Sequence, residues 1–108
     1  MAITDSEYDE LVMNLVVEGG NARSLAMEAI QKAKAGDIAG AEAMLEECGQ
    51  ALVEAHKSQT EMIQSEINGN RIEVRLLMVH AQDHLMDAMV VKDMAQEFVD
   101  LYKKIKNG

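Results

Sequence analysis

Apolar residues recur at helical spacing along almost the whole chain, in three long runs. Within each run an apolar residue returns every three or four positions, the interval at which side chains share one face of an α-helix. The first two runs predict one helix over about residues 5 to 35 and a second over about residues 37 to 68. Their apolar faces consist of Tyr8, Leu11, Leu15, Ala22, Ala26, Ala29 and Ala33, and of Ile38, Ala41, Leu45, Cys48, Leu52, Ala55, Met62 and Ile67.

The third run differs because it carries apolar residues on two opposite faces. It predicts a helix over about residues 70 to 106. One face holds Val74, Leu77, Met78, Ala81, Leu85, Ala88, Ala95 and Val99. The other holds Ile72, Leu76, Val79, Met86, Val90, Met94 and Leu101, with Asp83 at its middle. A bundle of three helices can cover only one of these faces, so the second face predicts contact with further copies of the chain.

Short polar links with capping residues separate the predicted helices. Such links join antiparallel neighbours, and the sequence contains no proline and is rich in good helix formers. We therefore predict an all-α fold, an antiparallel up-down-up three-helix bundle in a single domain over residues 1 to 108. The cap patterns are Thr4 with Glu7, Gly36 with Asp37, Asn68 with Gly69, and Asn70 with Glu73.

Paired glycines, Gly19 and Gly20, interrupt the first helix. Each costs up to about 1 kcal/mol relative to alanine in a helix interior. They indicate either a kink or a place where another helix backbone approaches closely. We expect a local bend or break that leaves the helix in two parts.

Charge and hydropathy limit the classes of partner. The net charge of -9 argues against nucleic acid and anionic membranes, because both attract clustered lysine and arginine. No run approaches the roughly 18 apolar residues of a membrane span, and the acidic start does not resemble a secretory signal. We expect a cytoplasmic protein. Cys48 is the only cysteine, which excludes an internal disulfide, and its place on an apolar face predicts a buried thiol.

The stretch HAQDH, residues 80 to 84, is the strongest candidate for chemistry. His80 could be a nucleophile, a proton carrier or a metal ligand, or a partly buried structural histidine. His80 and His84 have the spacing of a helical zinc pair. The glutamate of the H-E-x-x-H signature and a third ligand are missing, which makes a zinc hydrolase the weakest reading.

Asp83 lies on the second apolar face of the third helix. A carboxylate buried in an apolar seam is costly unless it is paired, protonated or bound to a cation. If copies pack around a rotation axis, their Asp83 side chains meet, and a divalent ion such as Mg²⁺ or Ca²⁺ would offset the charge. Alternatively, Asp83 lies at the edge of the seam and reaches solvent.

The segment LLMVHAQDHLM, residues 76 to 86, resembles the signature of enzyme IIA of the lactose/cellobiose class of the bacterial phosphoenolpyruvate-dependent sugar phosphotransferase system. Three further segments resemble the same family in the same order. They are GNARSLAMEAI at 20 to 30, AHKSQTEMIQSE at 55 to 66 and EFVDLYK at 97 to 103. The likeness therefore covers nearly the whole chain.

This resemblance implies a homotrimer of three-helix bundles, a nine-helix assembly, in which His80 carries a phosphoryl group. It assigns Asp83 to a metal site at the trimer axis, for Mg²⁺ or a similar divalent ion. Gln82 and His84 would support the phosphohistidine by orienting it or by hydrogen bonding. For His56, which lies in a matching segment, we expect a structural role.

The implied function is a relay in sugar uptake. His80 would accept the phosphoryl group from the phosphorylated general histidine phosphocarrier protein and pass it to a cysteine of the IIB component, for a β-disaccharide such as lactose, cellobiose or chitobiose. Such transfer depends mainly on alignment and charge stabilisation. The alternative is a non-enzymatic helical interaction module that binds partners through a methionine-rich face.

Overall fold

The computed structural model describes residues 2–108, which form three α-helices and, within that range, no β-strand. The helices are α1 (Asp5–Lys34), α2 (Ile38–Ile67) and α3 (Leu76–Asn107). Contacts between Tyr8 and Glu73 and between Gly19 and His84 pair residues at the same offset, so α1 and α3 run in the same direction. The predicted all-α, up-down-up bundle is confirmed.

Side-chain caps and a glycine mark the start of α1 and the link between α1 and α2. The Thr4 hydroxyl accepts a hydrogen bond from the Glu7 amide at 3.1 Å, and the Asp37 carboxylate accepts one from the Gly40 amide at 2.9 Å. Gly36 has a φ of 93°, a left-handed value that other residues adopt at a cost. The bounds predicted for α1 and α2, residues 5 to 35 and 37 to 68, are correct to within a residue of the observed helices.

The predicted start of α3 is wrong, because the helix begins at Leu76 and residues 70–75 are not helical. Two side chains engage carbonyls of this segment. The Tyr8 hydroxyl donates to the Glu73 carbonyl at 2.8 Å, and the Ser65 hydroxyl donates to the Asn70 carbonyl at 3.1 Å. Arg75 is the N-cap, with an extended backbone (φ -107°, ψ 161°). The cap predicted for Asn70 and Glu73 therefore does not form, since both residues precede the helix.

The late start of α3 also changes which residues belong to its two faces. Ile72, predicted on the outer face, packs against the core, whereas Val74, predicted on the inner face, is 71% exposed. Neither residue is helical, so the wheel of 3.6 residues per turn does not apply to them. Leu77, in the first turn, is also exposed.

Helix α1 is continuous through Gly19 and Gly20, so the expected bend or break is wrong. Gly19 instead faces α3. A Cβ atom added there would lie 3.2 Å from the backbone carbonyl carbon of His84 and 3.2 Å from its Cβ. The glycine permits a close approach of two backbones, which was the other reading of the pair.

The core between the helices is rich in alanine, and Leu15, Leu85 and Val99 are among its largest fully buried side chains. Cys48 is fully buried, and its thiol donates a hydrogen bond to the Ala22 carbonyl at 3.1 Å. Its burial confirms the predicted buried cysteine, and that burial raises the pKa of the thiol. None of the helices within residues 2–108 combines the length and apolarity that a membrane span requires.

Candidate functional site

His80 and His84 lie one turn apart on the side of α3 that borders α1. Their Nε2 atoms are 2.9 Å apart, the ring centroids are 4.4 Å apart, and the ring planes are almost perpendicular at 89°. His80 is exposed, while His84 is partly buried where its backbone meets Gly19. A hydrogen bond between two Nε2 atoms requires one proton for the pair, so one ring donates and the other accepts.

This arrangement suits a nucleophilic imidazole with an adjacent hydrogen-bond donor. If His84 donates, the Nε2 of His80 holds a lone pair and the proton of that ring is on Nδ1. The exposed ring can then attack an electrophile. The neighbouring N–H can subsequently hydrogen-bond an oxygen attached to the transferred group.

Gln82 lies on the other flank of α3, about 200° around the helix from His80. Its side-chain oxygen accepts a hydrogen bond from the amide nitrogen of Gln59 on α2 at 2.7 Å. One chain therefore brings His80 and His84 together but holds Gln82 apart from them. The sequence analysis did not predict a role for Gln59. Its position at helical spacing between Ala55 and Met62, on the apolar face of α2, is unusual for a polar residue and could have indicated one.

Asp83 is exposed at the middle of a row of exposed apolar residues that faces away from the core. We call this row the outer stripe. Its apolar members are between 44% and 85% exposed, which is unusual for so many large side chains along one helix face. The outer stripe consists of Asp83 with Leu76, Val79, Met86, Val90, Met94 and Leu101.

Metal-ligating side chains do not gather into a ligand set within the described part of the chain. Across residues 2–108, no group of three or more His, Cys, Asp and Glu side chains could hold a metal ion. Over that range the pair of His80 and His84 has no third His, Cys, Asp or Glu side chain grouped with it. Asp83 could join a metal site only together with groups from other copies.

His56 is exposed and lines a pocket of about 520 Å³ between α2 and α3. Its neighbours in the pocket are mostly aliphatic stems and apolar side chains, including Leu52, Val53 and Met89. The pocket lies on the Gln82 flank of α3, away from His80.

Comparison with known proteins identifies the family. Residues 10–103 match the model of the lactose/cellobiose-specific IIA subunit of the phosphotransferase system. The chain is 50% identical over 101 residues to the lichenan-specific phosphotransferase enzyme IIA component of Bacillus subtilis, covering 94% of this chain and 92% of that protein.

Two solved structures resemble the fold closely. The cellobiose-specific enzyme IIA of Bacillus anthracis superposes with a TM-score of 0.90 at 48% identity, covering 96% of this chain and 94% of that one. IIA(chitobiose) of Escherichia coli, solved in complex with HPr, gives a TM-score of 0.78 at 42% identity, covering 91% and 95%. The chain therefore belongs to the lactose/cellobiose-specific IIA family and is a phosphoryl-carrying component of a sugar phosphotransferase system.

Proposed function

We propose that His80 is the residue that carries the phosphoryl group. It accepts the group from the phosphorylated general histidine phosphocarrier protein, HPr, and passes it to a cysteine of the IIB component. The observation that carries this proposal is the exposed His80 ring with the Nε2 of His84 only 2.9 Å from its own Nε2. The complex of the Escherichia coli relative with HPr supports HPr as the donor.

In the proposed step, a neutral nitrogen of His80 attacks phosphorus while the bond from phosphorus to the histidine nitrogen of HPr breaks. The HPr ring leaves as a neutral imidazole, so the exchange of one phosphorus–nitrogen bond for another needs no net proton transfer. His84 supports this step in two ways. Its donation to Nε2 keeps the His80 proton on Nδ1, and after transfer the same N–H can bond a phosphoryl oxygen.

The assembly that we propose is a homotrimer in which the outer stripes of three copies meet. Burial of exposed apolar residues such as Val90 and Met86 provides the driving force. Around a three-fold axis the three Asp83 carboxylates converge. A cluster of carboxylate oxygens is a donor set that fits Mg²⁺ or a similar hard divalent ion. Such an ion would offset the mutual repulsion of the carboxylates and stabilise the trimer, while His80 performs the transfer.

The transported substrate is proposed to be a β-disaccharide. The relatives are components for lichenan, chitobiose and cellobiose systems. The carrier itself contacts proteins and not the sugar, so this chain contributes phosphate supply to uptake.

Incubation with phosphoenolpyruvate, enzyme I and HPr tests the proposal. We expect one acid-labile phosphoryl group per chain, located by mass spectrometry in the peptide that contains His80. His80→Gln should abolish labelling, whereas His56→Gln, at the other exposed histidine, should retain it. If His80→Gln still accepts phosphate, the assignment is wrong. Partner binding that is indifferent to phosphate and to His80 would instead support an interaction module.

A further inference from the structure

The amide pair of Gln59 and Gln82 joins α2 to α3 beside an open pocket. The nitrogen of Gln59 donates to the oxygen of Gln82 at 2.7 Å, and both side chains are partly buried. His56 and Thr60, which flank Gln59 on α2, line the pocket between the two helices. The hydrogen bond therefore fixes the orientation of the two side chains relative to each other beside this pocket.

This hydrogen bond has a direction, and the direction fixes what Gln82 presents to its surroundings. A glutamine amide has an oxygen that accepts and a nitrogen that donates twice. Because Gln59 donates to the oxygen of Gln82, the amide nitrogen of Gln82 remains available to donate elsewhere. Within residues 2–108 that nitrogen has no hydrogen-bond partner. Gln82 is thus held as an available donor.

In the proposed trimer this donor faces a phosphoryl site of another copy. Gln82 and His80 lie on the two opposite flanks of the outer stripe. When parallel copies of α3 pack around a three-fold axis with the stripe inside, the Gln82 flank of each copy meets the His80 flank of the next. The two residues differ in height by only about 3 Å, because each residue adds 1.5 Å along a helix.

We propose that Gln59 is a positioning residue for the phosphoryl group on the His80 of the adjacent copy. It acts through Gln82, whose amide nitrogen it keeps directed at the groove between copies. This inference rests on the proposed role of His80 and on the trimer. Gln59 itself does not touch the phosphoryl group.

Gln59→Glu tests the direction of the hydrogen bond without removing the link between the helices. A carboxylate can only accept, so Gln82 must turn its nitrogen toward position 59 and its oxygen toward the groove. An acceptor would then face the phosphoryl oxygens. We expect the rate of phosphate transfer from phosphorylated HPr to fall about tenfold, the loss of one charge-assisted hydrogen bond. The ³¹P chemical shift of the phosphohistidine should move as well.

Two further variants separate positioning from charge and from folding. Gln64→Glu adds the same charge to an exposed site of α2 and should transfer at the wild-type rate. Gln82→Ala should slow transfer, and adding Gln59→Glu to it should cause no further loss. A double variant that transfers phosphate more slowly than Gln82→Ala alone would overturn the proposal.

Mixed trimers test the action across copies. His80→Gln chains cannot carry phosphate, but they retain Gln59 and Gln82. When Gln59→Glu chains are reassembled with excess His80→Gln chains, each remaining His80 lies beside a Gln82 that an intact Gln59 orients. The rate per labelled chain should then return to wild type. Absence of rescue, or a Gln59→Glu trimer as fast as wild type, overturns the inference. If wild type and Gln64→Glu also take up no phosphate, the proposed function fails instead.

Discussion

The backbone of Gly19 in α1 lies directly against the backbone of His84 in α3. A methyl group at position 19 would approach the His84 carbonyl carbon to 3.2 Å and the Leu85 nitrogen to 3.3 Å. Neither atom belongs to a flexible side chain that could turn away. The contact sets the separation of the two helices at the level of the histidine pair, so Gly19 determines how closely His84 approaches α1.

Gly19→Ala should therefore destabilise the fold, although alanine is the better helix former. Overpacking costs about 1–3 kcal/mol, whereas the gain in helix propensity is about 1 kcal/mol. We expect a lower free energy of unfolding in urea and slower phosphorylation, because the shift of α3 moves His84 relative to His80.

Gly20→Ala is the matched control for this change. Among the described residues, nothing beyond the helix backbone lies within 4 Å of a Cβ at position 20. This variant should gain up to about 1 kcal/mol from helix propensity and keep the wild-type rate. A Gly19→Ala protein that is as stable as Gly20→Ala would contradict the close-approach interpretation.

His84→Ala should slow phosphate transfer to His80 about tenfold, since it removes a donor that can bond charged oxygens. His84→Gln should recover part of the rate, because its amide nitrogen can also donate from the same helix position. The measurement is the initial rate of labelling by phosphorylated HPr, with the helix content of each variant checked by circular dichroism. Equal rates for His84→Ala and wild type would leave His84 without a role in transfer.

Some of this site follows from the sequence and some does not. The spacing of HAQDH places His80 and His84 on one side of a helix, because that relation depends only on helical periodicity. The outer stripe follows for the same reason, except at Ile72, where the helix has not begun. The late start of α3 could not be predicted, since Tyr8, distant in sequence, binds the Glu73 carbonyl.

The closeness of Gly19 to His84 and the bond between Gln59 and Gln82 were equally hidden from the sequence. Both depend on the register between helices, and periodicity within one helix carries no information about that register. The glycine pair indicated that α1 departs from ordinary helix geometry or ordinary helix packing at this point. It did not distinguish a bend from a close approach.

Cys48 should make folding stability depend on alkaline pH. Burial raises the pKa of its thiol above the ordinary value of 9.0, so the folded chain holds the proton more tightly than the unfolded chain does. The resulting contribution is fully present below pH 9 and is lost as pH rises through the folded-state pKa. Urea unfolding of wild type and Cys48→Ala between pH 7 and 10.5 measures it, because lysines and tyrosines contribute alike to both proteins.

The difference in unfolding free energy between wild type and Cys48→Ala should stay constant up to about pH 8 and shrink above pH 9. Iodoacetamide should likewise react with Cys48 slowly in the folded protein and rapidly after denaturation. A thiol that reacts as fast in the native protein as in urea would show that its burial does not persist in solution.

Asp83→Leu should yield an oligomer that no longer depends on a divalent ion. In the proposed trimer the substitution replaces three converging carboxylates by apolar contacts and extends the outer stripe without interruption. Removal of mutually repelling buried charges in favour of packed apolar groups is often neutral or stabilising. Sedimentation with and without a chelator should show wild type weakened by chelation and Asp83→Leu unaffected, while the labelling of His80 persists in both.

Val90→Glu provides the contrast, because it adds a carboxylate to the same stripe two turns further along α3. Val90 is 61% exposed in the single chain, so the change should leave the folded subunit intact while it dissociates the trimer. If Asp83→Leu instead falls to monomers, or Val90→Glu remains trimeric, the outer stripe is not the surface on which copies of this chain meet.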